Sequence, residues 1–309
     1  MTLVRGRELT AAGIVDPGLR ASYERCRALN AEYGRTYYLA TMLLPPQKRP
    51  FVHALYGFAR YADDIVDATE RPVADRADEL GKFADVFFRD LQTGHSSNPV
   101  FAATIDTAIR WKIPAEHFEA FIGSMRMDLD TDHYDSYADL RRYVYGSAAV
   151  IGLQMVPILE PSSPAAYAYA ERLGIAFQLA NFIRDVDEDL DRGRIYLPLD
   201  ELAQFGVEPR DFRRRVLTGN LKAALAFQVQ RVRDLASESR PGVEMLSPDS
   251  RPCINAARIL YCGIVDEVEK NDYQVFSSRA TVPLRRRLAI AIPAYVEARR
   301  ARHRRALNV

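Results

Sequence analysis

The chain has 309 residues, of which 48% are hydrophobic and 27% are charged, and its formal net charge at pH 7 is +1. This composition is typical of a globular protein, and the near-neutral charge excludes a global electrostatic field that would attract nucleic acid. Its three cysteines have no regular spacing, which excludes a disulfide framework and a cysteine-rich zinc site.

Helical periodicity dominates the chain, and no stretch shows the sustained apolar–polar alternation of a strand. The predicted helices cover residues 19–33, 35–44, 47–68, 72–92, 99–110, 114–130, 136–158, 163–188, 220–238, 252–271 and 284–305. A polar stretch at 237–252 indicates a surface loop. No internal repeat or shift in composition divides the chain, so we expect one all-α domain over residues 1–309, built as a helical bundle.

The amino-terminal segment and the most apolar segment bear on the location of the protein. Residues 1–10 lack the apolar stretch that a signal peptide needs. The most apolar segment, 143–159, contains glycine, glutamine and proline and falls short of an uninterrupted membrane span. We therefore expect a cytoplasmic protein in which this segment is a buried helix.

The helix predicted over 47–68 ends in an acidic motif, Asp-Asp-Ile-Val-Asp. Asp63 and Asp67 are four residues apart and share one helix face. Arg60 and Tyr56 continue this face toward the amino terminus. Like charges at this spacing destabilise a helix by about 0.2–0.5 kcal/mol, so the pair favours a bound cation. A solvated helix end would tolerate the same pair.

The helix predicted over 163–188 leads into a second acidic motif in a more apolar setting. Its polar side chains form one stripe at spacings i, i+3, i+7 and i+11, namely Gln178, Asn181, Asp185 and Asp189. The rest of the helix surface is mostly apolar, which is typical of a buried helix. Unpaired carboxylates in an interior are costly, and a bound metal ion removes that cost. Because Mg²⁺ prefers carboxylate, water and phosphate oxygens, the two motifs predict a magnesium–diphosphate site, which Mn²⁺ would also suit.

Five motifs follow one another along the chain. They are Arg35-Thr36-Tyr37-Tyr38 leading to Leu43-Leu44-Pro45; Tyr56 to Arg60 leading into the first acidic motif; Tyr143 to Gly152; Gln178 to Asp189; and Gly193 to Pro198. In this order they resemble the squalene/phytoene synthases, over about residues 33–279. The resemblance implies an isoprenoid synthase-type bundle with a central cavity. It also implies a prenyltransferase that condenses two geranylgeranyl diphosphates head to head, through a cyclopropyl diphosphate, to phytoene, without a nicotinamide cofactor.

The resemblance also implies roles for individual residues. The implied metal ligands are Asp63, Asp67, Asn181, Asp185 and Asp189. The implied catalytic residues are Tyr143, Arg60, Asp63, Asp67, Asp185 and Asp189. The implied substrate-binding residues are Arg35, Thr36, Tyr56, Gln178, Asn181, Arg184, Arg194, Tyr261 and Arg279. Gly34 stands where the family often has serine, a departure that affects one expected hydroxyl contact to phosphate.

Two charged segments lie outside these motifs. We interpret the acidic segment 128–135, which includes Asp128, as a solvated helix end. The helix predicted over 284–305 carries many arginines around an apolar centre. Such a helix suits peripheral contact with an anionic lipid surface, and an ordinary solvated helix remains an equal alternative.

Three other functions remain open at this point. A squalene-type or dehydrosqualene-type synthase would use the same residues on farnesyl diphosphate. A class I terpene cyclase shares the spacing of Asn181, Asp185 and Asp189, although the segment 194–198 argues against it. A non-catalytic scaffold would be expected to lose aspartates that this chain keeps. The sequence leaves the substrate chain length and the oligomeric state undetermined.

Overall fold

The computed structural model describes residues 2–307, apart from the side chains of residues 2–5, 35 and 306. The helices are α1 (Thr2–Ala11), α2 (Pro17–Tyr33), α3 (Arg35–Thr41), α4 (Arg49–Val66), α5 (Val73–Thr93), α6 (Pro99–Trp111), α7 (Ala115–Asp130), α8 (Tyr137–Val144), α9 (Val150–Ile158), α10 (Ala166–Arg184), α11 (Val186–Asp191), α12 (Leu199–Gln204), α13 (Pro209–Arg213), α14 (Gly219–Glu238), α15 (Arg240–Glu244), α16 (Arg251–Cys262), α17 (Ile264–Lys270) and α18 (Leu284–Leu307). A π-helical turn, Tyr145–Ala149, joins α8 to α9. Within the described range there is no β-strand, so the all-α class is confirmed.

The long predicted helices are present, with ends that differ by a few residues, but three of them are interrupted. The segment 136–158 contains the π-helical turn, and the segment 252–271 breaks at Gly263. The segment 163–188 breaks at Asp185, whose backbone angles (φ −101°, ψ 15°) leave the helical range. The short helices α1, α12, α13 and α15 were not predicted, because helices of this length depend on tertiary packing more than on a periodic pattern.

The predicted surface loop at 237–252 is wrong. This segment contains α15, and both Asp249 and Ser250 within it are buried. The reason is a buried cation: Lys48, only 1% exposed, donates to Ser250 Oγ at 3.0 Å and lies 3.7 Å from Asp249. Asp249 and Ser250 are therefore partners of a buried ammonium group and not solvent-exposed loop residues.

Two long helices organise the bundle around a central space. Helix α4 packs against α2 and α6, and α10 packs against α14 and α9. On the core side of α4, the ring of Phe58 lies 4.5 Å from Phe87 and 5.2 Å from Phe118, measured between centroids. Burying an aromatic side chain of this size contributes about 1.5–3 kcal/mol. This packing turns the opposite face of α4 toward the centre of the bundle.

Candidate active site

A cavity of about 480 Å³ runs between α4 and α10. Asp63 and Asp67 line it at the carboxyl end of α4. Near the other end of α4, the cavity wall is formed by Val52 and by leucines that include Leu44 and Leu159. At a helix rise of 1.5 Å per residue, Val52 and Asp67 are separated by about 22 Å. The cavity is therefore elongated, with one acidic end and a long apolar body.

The first acidic pair lies where the sequence predicts, on the cavity side of α4. The backbone N–H of Asp67 donates to the carbonyl of Asp63 at 2.8 Å, so both residues belong to the last helical turn. Burial, followed by the negative charge of Asp67, raises the pKa of Asp63 to about 7. A carboxyl group in this environment favours a proton or a bound cation over an isolated negative charge.

The stripe predicted on α10 is divided by the break at Asp185. Gln178 and Asn181 line the cavity. The side-chain oxygen Oδ1 of Asn181 is buried and has no hydrogen-bond partner among the described residues. Asp185 is not among the residues that line the cavity. Its carboxylate accepts hydrogen bonds from Arg184 Nε at 2.7 Å and from Arg279 Nε at 2.8 Å.

Asp189 lines a small cleft next to the main cavity. Arg194 and Tyr196 line both the cleft and the cavity. Burial, followed by the charge of Asp185, raises the pKa of Asp189 to about 7. Asp189 therefore resembles Asp63. Each is a buried carboxyl group whose pKa is raised further by the negative charge of a second aspartate.

The interpretation of Asp128 as part of a solvated helix end is wrong. Its side chain is buried, and it lines the cavity. Its Oδ2 accepts a hydrogen bond from Tyr143 Oη at 2.8 Å, and its Oδ1 accepts one from Tyr196 Oη at 3.2 Å. Arg194 Nη2 donates to the backbone carbonyl of Asp128 at 2.6 Å. Two phenols and a guanidinium thus surround one carboxylate.

The sequence does contain a signal for Asp128. Phe121 and Met125 precede it by seven and three residues on α7, and both line the cavity. Asp128 therefore extends an apolar helix face in the same way that Asp63 extends the face of α4. The neighbouring acidic residues at 130–135 mask this pattern.

Tyr143 is held by close packing between α7 and the π-helical turn. Its backbone carbonyl accepts a hydrogen bond from Ser124 Oγ at 2.7 Å. A Cβ added to Gly146 would lie 2.1 Å from the carbonyl oxygen of Ala120, so only glycine allows this approach. The ring of Tyr143 lies 5.4 Å from that of Tyr134.

The other residues implied by the resemblance divide into two groups. The rings of Tyr261 and Tyr37 stack at 5.1 Å, and both of these residues line the cavity, as does Tyr56. Arg60 points elsewhere: it pairs with Asp64 and lies over the ring of Tyr33 at 4.6 Å.

Thr36 on α3 is exposed, and the side chain of Arg35 lies outside the described residues.

The donors present fit a hard divalent cation, although a complete ligand set is not assembled. Within the described part of the chain, no three His, Cys, Asp or Glu side chains are grouped closely enough to hold a metal. Mg²⁺ typically takes one or two carboxylates and fills its remaining positions with water and substrate phosphate. Asp63, Asp67 and the unpartnered amide oxygen of Asn181 offer such oxygens.

The comparisons with known proteins agree with this geometry. The family model for squalene/phytoene synthase matches residues 30–286. A 15-cis-phytoene synthase from Synechococcus elongatus is 36% identical over 287 residues, covering 87% of this chain and 91% of the relative. A squalene synthase from Alicyclobacillus acidocaldarius superposes with a TM-score of 0.79 at 28% identity, covering 85% and 98% of the two chains. A dehydrosqualene synthase superposes with a TM-score of 0.82 at 25% identity, covering 90% and 96%.

The isoprenoid synthase-type fold and the similarity to phytoene and dehydrosqualene synthases identify a prenyltransferase-type enzyme. The chain belongs to the squalene/phytoene synthase family. The expected fold class, family and enzyme class are therefore confirmed.

Proposed function

We propose that the protein condenses two molecules of geranylgeranyl diphosphate head to head, through a cyclopropyl diphosphate, to phytoene. The observation that carries the proposal is the cavity, because its acidic end can bind a diphosphate through divalent cations and its long apolar body suits an extended hydrocarbon tail. The similarity to phytoene synthases favours phytoene over a product of farnesyl diphosphate. Phytoene formation balances without a reductant, so the proposal includes no nicotinamide cofactor.

The residues proposed to hold Mg²⁺ or Mn²⁺ are Asp63, Asp67, Asn181, Asp185 and Asp189. When bound, the metal neutralises the charge that develops on the departing diphosphate. The residues proposed to bind the substrates are Arg35, Thr36, Tyr56, Gln178, Asn181, Arg184, Arg194, Tyr261 and Arg279. Arg184 and Arg279 are the best supported, because they already meet at an anionic group, the carboxylate of Asp185. Diphosphate oxygens are the same kind of acceptor for a guanidinium.

The chain's own residues would then serve the cationic steps. Departure of the first diphosphate leaves an allylic cation, which the 2,3-double bond of the second molecule attacks. Loss of a proton closes the cyclopropane ring. The ring of Tyr143 and the stacked rings of Tyr37 and Tyr261 face the cavity, and aromatic faces stabilise a cation without capturing it. Ionisation of the cyclopropyl diphosphate, rearrangement and a second proton loss then give phytoene.

A product assay tests this function. The purified protein is incubated with Mg²⁺ and either geranylgeranyl or farnesyl diphosphate, and the extract is separated by mass-detected chromatography. We expect phytoene from the first substrate and little product from the second. Asp67→Asn should abolish most turnover, whereas the matched change Asp78→Asn, at a surface residue paired with Lys82, should not. A squalene-like product, or cyclic products derived from one substrate molecule, would contradict the proposal.

We also propose that α18 contacts an anionic lipid surface. Within the described residues, no helix is long and apolar enough to cross a membrane. Helix α18 nevertheless exposes Leu288, Ile292 and Tyr295 on one side, next to exposed arginines that include Arg299. Apolar side chains flanked by arginines suit the interface of an anionic bilayer, the phase that holds isoprenoid lipids.

Vesicle sedimentation tests this contact. The protein should sediment with phosphatidylglycerol vesicles more than with phosphatidylcholine vesicles, and Ile292→Glu should reduce the bound fraction. Val216→Glu is the matched control, because Val216 is a comparably exposed aliphatic residue remote in sequence from α18. Equal binding by the protein and both variants would contradict a role for this surface.

A further inference from the structure

We propose that Asp128 is a positioning residue that works through Tyr143, orienting its hydroxyl and receiving its proton when the cyclopropane ring closes. This inference rests on the proposed function and deepens it. It follows from a side-chain cluster on α7, α8 and the segment after α11, which none of the acidic motifs includes.

The hydrogen bonds fix the direction of the Tyr143 hydroxyl. A phenol has one O–H donor, and Tyr143 directs it to Asp128 Oδ2 at 2.8 Å. The other carboxylate oxygen is held by Tyr196 at 3.2 Å, so Asp128 cannot rotate without losing a partner. The lone pairs of Tyr143 Oη therefore remain available to accept a proton or a hydrogen bond. The Tyr143 side chain lines the cavity, so a substrate could provide that partner.

The charge around Asp128 leaves Oδ2 able to accept a proton. The nearest guanidinium nitrogen, Nη1 of Arg194, is 4.0 Å from Oδ1. Arg194 directs its short hydrogen bonds instead to the backbone carbonyl of Asp128, at 2.6 Å, and to Tyr196 Oη, at 3.2 Å. Burial raises the pKa of Asp128 to about 6, against the opposing effect of Arg194. The carboxylate is thus ionised near neutral pH yet more basic than an ordinary aspartate.

The burial of Tyr143 explains why it needs this partner. Its side chain is only 3% exposed, and burial raises the pKa of its hydroxyl well above the ordinary value. A free phenolate is therefore unfavourable at neutral pH. If Tyr143 passes its own proton to the hydrogen-bonded carboxylate as it receives a proton from the substrate, no phenolate forms.

The proposed step balances as follows. After the new carbon–carbon bond forms, the former C1 of the ionised substrate still carries two hydrogens. The electron pair of one C1–H bond closes the cyclopropane ring, and that proton moves to Tyr143 Oη. The original phenolic proton moves to Asp128 Oδ2, which becomes a neutral carboxyl group. Reverse transfer through Tyr143 to water, after the product leaves, restores the starting state.

Asp128→Asn is the direct test, because it keeps the shape of the side chain and removes the acceptor charge. Positioned proton transfer typically contributes about 10²–10⁴-fold to a rate, so we expect kcat to fall at least about 100-fold with little change in KM. With substrate carrying two deuteriums at C1, the variant should show a larger primary isotope effect than the unaltered enzyme. A purely structural role would not produce that isotope effect.

The coupling between the two residues gives a second readout. Because both act in one relay, Asp128→Asn should add little to the loss caused by Tyr143→Phe, whereas independent residues would show additive losses. Asp130→Asn, two residues further along α7 at an exposed position, is the matched control. Should Asp128→Asn fail to fold, Tyr143→Phe measured with deuterated substrate must show the same enlarged isotope effect.

Three results would overturn the inference while the unaltered enzyme makes phytoene. They are an unchanged kcat in folded Asp128→Asn, losses that add fully in the double variant, and a higher Mg²⁺ requirement with an unchanged isotope effect, which would make Asp128 a metal ligand. Failure of the unaltered enzyme to act on geranylgeranyl diphosphate would refute the proposed function, and this inference with it.

Discussion

Single residues at the acidic end of the cavity set its electrostatic character. Asp63, Asp67 and Asp128 line one wall region, and Arg192 and Arg194 supply the arginines there. Burial holds the pKa of Asp63 at about 7, far above that of an aspartate in an unfolded chain. The folded protein without a ligand therefore keeps a proton that unfolding releases.

This difference predicts a pH-dependent effect of Asp63→Asn. Below about pH 4, Asp63 is protonated in both the folded and the unfolded states, and it costs no stability. As the pH rises toward 7, the unfolded state loses this proton first, so the free energy of unfolding falls. We expect Asp63→Asn to raise the melting temperature of the metal-free protein by about 2–5 °C at pH 7.5.

The rise in melting temperature caused by Asp63→Asn should be smaller at pH 5, because most of the loss of stability due to Asp63 develops only above that pH. Differential scanning calorimetry at both pH values measures it, with Asp78→Asn as a surface control. A gain that is larger at pH 5 than at pH 7.5 would contradict the assignment.

At the scale of helices, the site depends on how closely two elements approach. The π-helical turn passes α7 at Gly146, where an added Cβ would meet the carbonyl of Ala120 at 2.1 Å. We expect Gly146→Ala to destabilise the protein by about 1–3 kcal/mol, because neither backbone can give way without a shift. Activity should also fall, since the same turn follows Tyr143 directly.

Gly123→Ala on α7 is the matched control for that change. A Cβ at Gly123 meets nothing within 4 Å, so alanine there should be neutral or stabilise the helix by up to about 1 kcal/mol. Chemical denaturation of both variants compares them. Equal stability of the two variants would show that the close approach at Gly146 is not required.

The sequence predicts helices far better than it predicts which way their polar faces turn. The predicted stripe from Gln178 to Asp189 assumes an unbroken helix, but the helix breaks at Asp185. Gln178 and Asn181 line the main cavity, whereas Asp189 lines the adjoining cleft. A periodic pattern carries no information about such a break, because the residues on both sides remain helical. Asp128 was missed for a related reason: local acidity outweighed the apolar face that it extends.

At the scale of the whole molecule, a buried ion cluster ties distant segments together beneath the apolar end of the cavity. Lys48 Nζ lies 2.6 Å from Glu160, and Asp249 links the cluster to Arg305 on α18 at 3.0 Å. Leu44, Leu159 and Leu246, which line the cavity, lie close in sequence to members of this cluster. Four parts of the chain thus meet in one cluster, in which Lys48 and Arg305 share the carboxylates of Glu160 and Asp249.

Lys48→Met should therefore destabilise the whole bundle. Removing one partner of a buried pair typically costs about 3–5 kcal/mol, and only Arg305 would then remain to balance the buried carboxylate of Asp249. We expect the melting temperature to fall by about 5–8 °C. Lys82→Met, at a position whose side chain is 74% exposed, should leave it unchanged. A loss of less than about 1 kcal/mol for Lys48→Met would show that the cluster contributes specificity of packing rather than stability.

If one cavity joins two substrate molecules, an isotope-mixing experiment should show it most directly. The enzyme is given equal amounts of unlabelled and fully deuterated geranylgeranyl diphosphate with Mg²⁺, and the hydrocarbon product is analysed by mass spectrometry. The account predicts unlabelled, mixed and fully labelled phytoene, with the mixed species the most abundant because either molecule can take either position. Products that contain label from only one molecule, with no mixed species, would contradict it.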